Sequence, residues 1–476
     1  MSTKIQRQRS YGRSVSVVIP VWNEVELTRA CLASLARGRE EHGLPQELIL
    51  VDNGSSDATP SWLAEIVSTT PWIRSVSFPE NRGFAAGCNA GLRVAQGDWV
   101  TFLNNDTLVS TQLLPRLLRA ALRQPRVGLV APCSNYVKGR QRIEIFGNEQ
   151  AEDVEGVQRR LVQDFDDRVE DVNCLAGLCL LAERKLLENL GGFDERFGLG
   201  NYEDDDLILR IRLRGLRLLI ARDAYLFHHG NRTFKALGIN YEEQLQENRL
   251  HFDQKWHEQA LFTVEKALTR GNTAEAKSIL NSGAELPSAA RAHACARVAE
   301  QEQRFTDAAT HWRQYLQEAP FDSEAHCHLA LCHIKEGDES GGRIRLAEVL
   351  RVHCYDSLVA ASVLTQLAEH ELEQGRHQLA CADVEDALAI REDFVPAINL
   401  RAVLDLAAER PSEALARLEP WLDRQDECLH ANAGIALHQL GRQDEALAAF
   451  RRGVELGEPN CASARNLRQL ETALGL

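Results

Sequence analysis

Four short polar stretches carry the side chains best suited to chemistry. Asp52 opens Asp52-Asn53-Gly54-Ser55-Ser56-Asp57 after an apolar run. A strand-to-helix turn with Asp57 as helix N-cap accounts for Gly54 and Asp57, but leaves Asp52 without a role. Asn104-Asn105-Asp106 closes a second apolar run. A carboxylate at such a strand end can hold a hard divalent cation, and His228, in Phe227-His228-His229-Gly230, offers a nitrogen ligand. Mn²⁺ accepts that mixture more readily than Mg²⁺. Glu203-Asp204-Asp205-Asp206 precedes Leu207-Ile208-Leu209-Arg210. Acids here complement a helix dipole, and Asp206 can pair with Arg210 one turn on. Four adjacent carboxylates also repel one another, so at least one should have a raised pKa. A carboxylate so shifted, beside a crevice, is a candidate general base.

The elements that must position these groups alternate. Ser16–Val21, Glu47–Asp52, Ile73–Phe78, Asp98–Leu103 and Val127–Ala131 read as strands, and Glu26–Arg37, Trp62–Ser68, Ala85–Ala95 and Leu113–Arg123 as helices. The order predicts a doubly wound parallel sheet, whose ligands bind at the carboxyl ends of the strands. Pro20–Glu24, Asp52–Asp57, Asn104–Asp106 and His228 sit at such strand ends. Tyr136–Glu170 is charged and reads as a variable, partly helical connection. Arg217–Ala221 reads as a short strand leading to His228, and the polar Asn231–Trp256 as a mobile lid.

The second half, rich in Ala, Leu, Glu, Gln and Arg, reads as helix throughout. A small residue followed four positions later by a bulky one recurs at Ala276/Leu280, Ala308/Trp312, Gly342/Leu346, Ala380/Val384, Ala414/Leu418 and Ala446/Phe450. A period of roughly 34 residues marks paired-helix repeats that stack into a solenoid. His326, Cys327, His328, Cys332 and His333 resemble zinc ligands, but their spacing fits no standard site.

Taken in order, Val18-Ile19-Pro20-Val21-Trp22-Asn23-Glu24, Val51-Asp52-Asn53-Gly54-Ser55, Asn81-Arg82-Gly83-Phe84, Leu103-Asn104-Asn105-Asp106, Gly192-Phe193-Asp194-Glu195, Glu203-Asp204-Asp205-Asp206-Leu207 and His228 resemble family 2 glycosyltransferases with the GT-A fold. The likeness runs from about Ser14 to Phe234. Gly441–Phe450 and Ala308…Trp312…Pro320 resemble the tetratricopeptide repeat. The resemblance implies an α/β GT-A domain, Rossmann-like with a mostly parallel sheet, over residues 14–260. A tail (1–13) precedes it, and an all-α tetratricopeptide-like domain over 261–476 follows. It further implies that Pro20, Glu24 and Asp52, with Val21 and Asn53 beside them, line the nucleotide pocket. Arg82 would hold the base or diphosphate, and Asn105 the ribose. Asp106, the surviving acid of the Asp-x-Asp signature, would bind Mn²⁺ or Mg²⁺ with His228. Asp204 would be the base, with Glu203 and Asp205 as runners-up.

The expected activity is inverting transfer from a nucleotide-sugar, UDP first and dTDP second. The acceptor is a protein or peptide recruited by the repeats; a glycan or lipid-linked acceptor is the alternative, and an inactive scaffold the third reading. The repeats could also make a homodimer. Net charge is −15, and residues 266–476 hold 33 acidic against 22 basic side chains, which argues against nucleic acid as partner. Twelve scattered cysteines without a CxxC pair read as reduced thiols of a cytoplasmic bacterial protein, membrane-peripheral at most. Val15–Val21 ends too soon for a transmembrane segment and reads as a buried strand.

Overall fold

The computed structural model describes residues 14–137, 139–143, 153–230, 241–352, 357–458 and 460–474. Its sheet comprises β1 (Val15–Val21), β2 (Glu47–Asn53), β3 (Ile73–Phe78), β4 (Trp99–Leu103), β5 (Thr107–Val109), β6 (Val127–Ser134), β7 (Val169–Val172), β8 (Cys179–Glu183) and β9 (Arg217–His228). They run in the order β3-β2-β1-β4-β8-β6-β9-β5, with β7 also on β9. The pairs β1–β2, β1–β4, β2–β3 and β6–β9 are parallel. The sheet is mixed, as a mostly parallel Rossmann-like sheet allows: β8, β5 and β7 pair antiparallel.

Strand alternation divides the core. Val15, Val17, Ile19 and Val21 face one apolar cluster, and Val18 faces the other. Helices α1 (Val25–His42), α2 (Thr59–Thr69), α3 (Gly83–Val94), α4 (Leu113–Arg123), α5 (Val154–Phe165), α6 (Arg184–Leu190) and α7 (Glu203–Arg212) cover the sheet, as one buried on both faces requires. α3 comes closest because its buried side is small, from Ala85 to Gly91. A Cβ on Gly91 would collide with the Val18 side chain. The order reverses at β1, which lies between β2 and β4. That switch point opens a crevice at the carboxyl ends of β1 and β4.

Two segments differ from their sequence reading. β9 continues past Ala221 to His228. Arg222 and Asp223, which look like a break, are buried and paired with Glu170 and Arg116. The lid expected over 231–256 is, from residue 241, helix α8 (Tyr241–Trp256); residues 231–240 lie outside the described part. Phe252 and Trp256 pack on Phe197 and Leu209. The polar residues of α8 serve buried partners: Asn248 donates to the carbonyls of Phe197 and Gly200 at 2.8 and 2.7 Å, and Lys255 pairs with Asp194 at 2.6 Å.

The chain then becomes helical: α9 (Ala260–Thr269), α10 (Thr273–Asn281), α11 (Ser288–Gln301), α12 (Phe305–Glu318), α13 (Ser323–Lys335) and eight further described helices from Glu339 to Leu474. The small residues at 276, 308, 380, 414 and 446 are fully buried, which is how paired helices approach. The chain divides into two compact units, one ending at Ala325 and one beginning at His326. The first unit thus runs past residue 260 and takes in α9 to α12. No described helix is long and apolar enough to cross a membrane.

Candidate active site

The first wall of the crevice is a knot of three loops. Asn23 and Glu24, after β1, both adopt left-handed backbone, which Asn tolerates better than most residues. The Asn23 carboxamide oxygen accepts the Ser56 N–H at 2.8 Å, and its own N–H donates to Ser55 Oγ at 2.8 Å. Asp52, buried, accepts the Ser55 N–H at 2.9 Å. Asn53 accepts from Arg82 N and donates to Gly83 O, both at 2.9 Å. Asn23 and Asn53 therefore hold the loops after β1, β2 and β3 in one arrangement, and Asp52 shapes the middle one. Pro20 packs beneath Gly87 of α3, and the Val21 side chain is wholly in the core, so only its backbone can face the crevice. Arg82 is half exposed, stacked over Phe78 at 5.0 Å and 3.7 Å from Glu195. Asp57 caps the Thr59 N–H at 2.9 Å from one position before the helix boundary, where Ala58 stands rather than Asp57.

The second wall is built by β4, β5 and β9. Asn105 donates to Thr28 Oγ1 at 3.0 Å, tying the loop to α1. Antiparallel pairing sets Thr107 opposite His228, and His229 N donates to Asp106 O at 3.0 Å. This register brings His228 Nε2 to 3.3 Å from Asp106 Oδ2. The other ring nitrogen meets Tyr136 O at 2.9 Å, and Asn135 brackets the His228 backbone through both its N–H and its C=O. Burial opposes a charge on His228, but the Asp106 carboxylate outweighs it and holds the imidazole above its ordinary pKa. A buried carboxylate beside an imidazole whose far nitrogen is fixed on a carbonyl is a common divalent-metal donor set. Asn104 Oδ1, buried in the same loop, accepts no hydrogen bond. The donors present fit a divalent cation.

The acidic run divides by role. Asp206 is fully buried, held by Arg210 at 2.8 Å, by Trp256 Nε1 at 3.0 Å and by Lys255; the expected Asp206–Arg210 pair is present. Asp204 accepts the Gly177 N–H at 2.8 Å on Oδ2 and the Asp205 N–H at 3.0 Å on Oδ1. Glu203 is buried, and its Oε2 accepts no hydrogen bond. Both Glu203 and Asp204 have raised pKa values. Burial is the larger cause, and the Asp204 charge adds to the shift at Glu203. Crowding alone, the reason read from sequence, is the smaller part.

The second wall and the Asp204 carboxylate meet through one short segment. Asn104 N donates to Leu178 O at 3.0 Å, one residue from the Gly177 N–H that holds Asp204. The loop that carries Asp106 and the Asp204 carboxylate are thus fixed on adjacent residues, Leu178 and Gly177. Sequence reading missed Asn23, Thr28, Asn135, Tyr136 and Gly177. Asn23 alone had a signal, an Asn two residues past a strand in the stretch Trp22-Asn23-Glu24; the others act through backbone or reach across the fold.

Residues 16–174 match the model of Glycosyl transferase family 2. They form a family 2 glycosyltransferase domain. Residues 294–343 match a tetratricopeptide repeat, and 385–474 the bacterial transcriptional activator domain, a helical domain of the same kind. An uncharacterized glycosyltransferase of Haemophilus influenzae is 28% identical over 230 residues, covering 47% of this chain and 79% of its own. The N-acetylglucosaminyl-diphospho-decaprenol L-rhamnosyltransferase of Mycobacterium tuberculosis is 29% identical, covering 42% of this chain and 70% of its own. Among solved structures, a mannosyltransferase of Pyrobaculum calidifontis in complex with GDP-Man and Mn²⁺ overlays with a TM-score of 0.35 at 20% identity, covering 80% of this chain and 88% of that one. The glycosyltransferase domain of this chain is therefore joined to a helical-repeat region.

Proposed function

We propose that the protein transfers a sugar from a nucleotide-diphospho-sugar to an acceptor hydroxyl with inversion, Asp204 acting as base. The observation that supports this reading is that the loop carrying Asp106, which meets His228 at 3.3 Å, and the Asp204 carboxylate are held by the adjacent residues Leu178 and Gly177. A divalent cation held by Asp106 and His228 would offset the charge of the departing diphosphate. Arg82, half exposed at the mouth of α3, reaches toward the same negative charge. Asp204 takes the acceptor proton at Oδ1 or Oδ2 as the hydroxyl attacks the anomeric carbon; its two N–H donors keep the carboxylate oriented. One displacement suffices, and no second carboxylate nucleophile is needed.

The donor is a UDP-sugar in this reading, with dTDP second. The acceptor is a polypeptide brought by the repeats, whose residues 294–343 match a tetratricopeptide repeat. A lipid-linked glycan is the second reading, favoured by the Mycobacterium relative, whose name states a decaprenol-linked substrate. A panel of UDP-, dTDP- and GDP-sugars with Mn²⁺ or chelator tests the core claim. Nucleotide diphosphate release should depend on the cation and fall about 10²-fold or more in Asp106→Ala. No release from any donor, or release untouched by Asp106→Ala, overturns it.

A further inference from the structure

Arg140 stands in a 3-10 turn, Gly139–Gln141, outside every motif of the transferase domain. Its guanidinium is nearly buried and meets Glu170 at 3.1 Å, Asp322 at 3.2 Å and Glu324 at 2.6 Å. Asp322 and Glu324 come from the chain between α12 and the first turn of α13, in the same compact unit as the sheet. Around them, Ser323 Oγ donates to Glu170 at 2.6 Å, Phe321 N donates to Asp171 Oδ2 at 3.1 Å, and Arg217 closes a two-pronged pair with Asp171 at 2.6 and 2.7 Å. Burial opposes the charge on Arg140, and its three carboxylates outweigh that opposition.

The neighbours of Arg140 in sequence reach both His228 and the segment that holds Asp204. On one side, Asn135 and Tyr136 hold His228. On the other, Gln141, buried, accepts the Ala176 N–H at 2.6 Å and donates to Pro132 O at 3.2 Å. Ala176 adjoins Gly177, whose N–H holds Asp204. Arg222 fixes the Arg140 carbonyl at 2.6 Å. A shift of the turn at 139–141 therefore reaches the peptide that orients Asp204.

We propose that Arg140 is a positioning residue, anchoring the turn that orients Asp204 to the acidic pair Asp322 and Glu324 of the repeat helices. The first repeat helices are then a working part of the transfer site, beyond any part they play in recruitment. The inference rests on the proposed roles of Asp204 and His228 and is tested by a readout that does not require them.

Hydrogen exchange on the full-length protein is that readout. In Arg140→Gln, amides of residues 174–178 should exchange about tenfold faster, while those of β1 and β2 stay unchanged. In the transfer assay kcat should fall about 10²-fold with donor KM within a few-fold, and Arg140→Lys should recover part of both. Glu324→Gln leaves Asp322 and Glu170 on Arg140 and should move 174–178 in the same direction by less; it decides the matter where Arg140→Gln does not fold. Arg126→Gln removes a separate pair with Glu318 on the same helices and should leave 174–178 unchanged. Unaltered exchange at 174–178 in a folded Arg140 or Glu324 variant overturns the proposal, as does equal acceleration in Arg126→Gln. If the wild type turns over no donor, the transferase reading fails while exchange still decides the role of Arg140.

Discussion

Asp204 owes its usefulness to what surrounds it. Burial pushes its carboxyl up, and the N–H groups of Gly177 and Asp205 favour the charged form. Asp204→Asn keeps the shape and removes the base, so transfer should drop about 10²- to 10⁴-fold with donor affinity within a few-fold, read by steady-state kinetics and by titration with nucleotide. Full activity in that variant together with a dead Glu203→Gln would move the base to Glu203. Glu203 also makes a stability prediction. Its pKa is raised in the fold, so the folded state keeps a proton that the unfolded chain releases near pH 4.5. That contribution is present below the unfolded pKa and is lost as pH rises through the folded one. Glu203→Gln should therefore melt increasingly above the wild type as pH rises; a pH-independent difference in melting temperature contradicts the assignment.

At the scale of elements, α3 lies on β1 only because its buried side is almost without side chains. Gly91→Val must push into Val18, and overpacking of this kind costs about 1–3 kcal/mol. Thermal unfolding should show the loss, and Val18→Ala in the same chain should recover much of it. The same element shows what was legible in advance. Strands β1 to β4 and helices α1 to α4 follow from apolar runs and turn residues, because those signals are local to each element. The acids at strand ends were legible for the same reason: a polar residue closing a buried run has few structural excuses. The supports were not. Asn135 and Tyr136 act on His228 from 93 and 92 residues away, and Gly177 acts through a backbone N–H that any residue possesses. α8 was misread because Asn248 and Lys255 look solvent-facing until their buried acceptors are known.

At the scale of the whole molecule, the break in composition near residue 260 and the break in packing at Ala325 are different things. Leu261 joins Phe197, Trp256 and Leu209 in one apolar cluster, with Leu286 and Ala290 against it. Arg212 pairs with Glu265, and Phe321 lies against the sheet core. A chain ended at residue 260 strips these partners, takes Phe321 N from Asp171 and leaves Arg140 with Glu170 alone of its three carboxylates. Breaking buried pairs on one side costs about 3–5 kcal/mol each. Such a chain should aggregate or melt far below the full-length protein, whereas one ended at residue 335 should fold; circular dichroism and size-exclusion chromatography distinguish them. Equal stability of the shorter chain would make the repeats a detachable appendage.

The charge cluster around Arg140 has a consequence for ionic strength. Arg140, Arg222, Arg217, Glu170, Asp171 and Asp322 are all one-tenth exposed or less. Dissolved ions screen exposed charges, to within about 3 Å at 1 M salt, but screen buried pairs much less. Concentrated brine should thus loosen the rim pair Arg126–Glu318 and leave the inner seam shut.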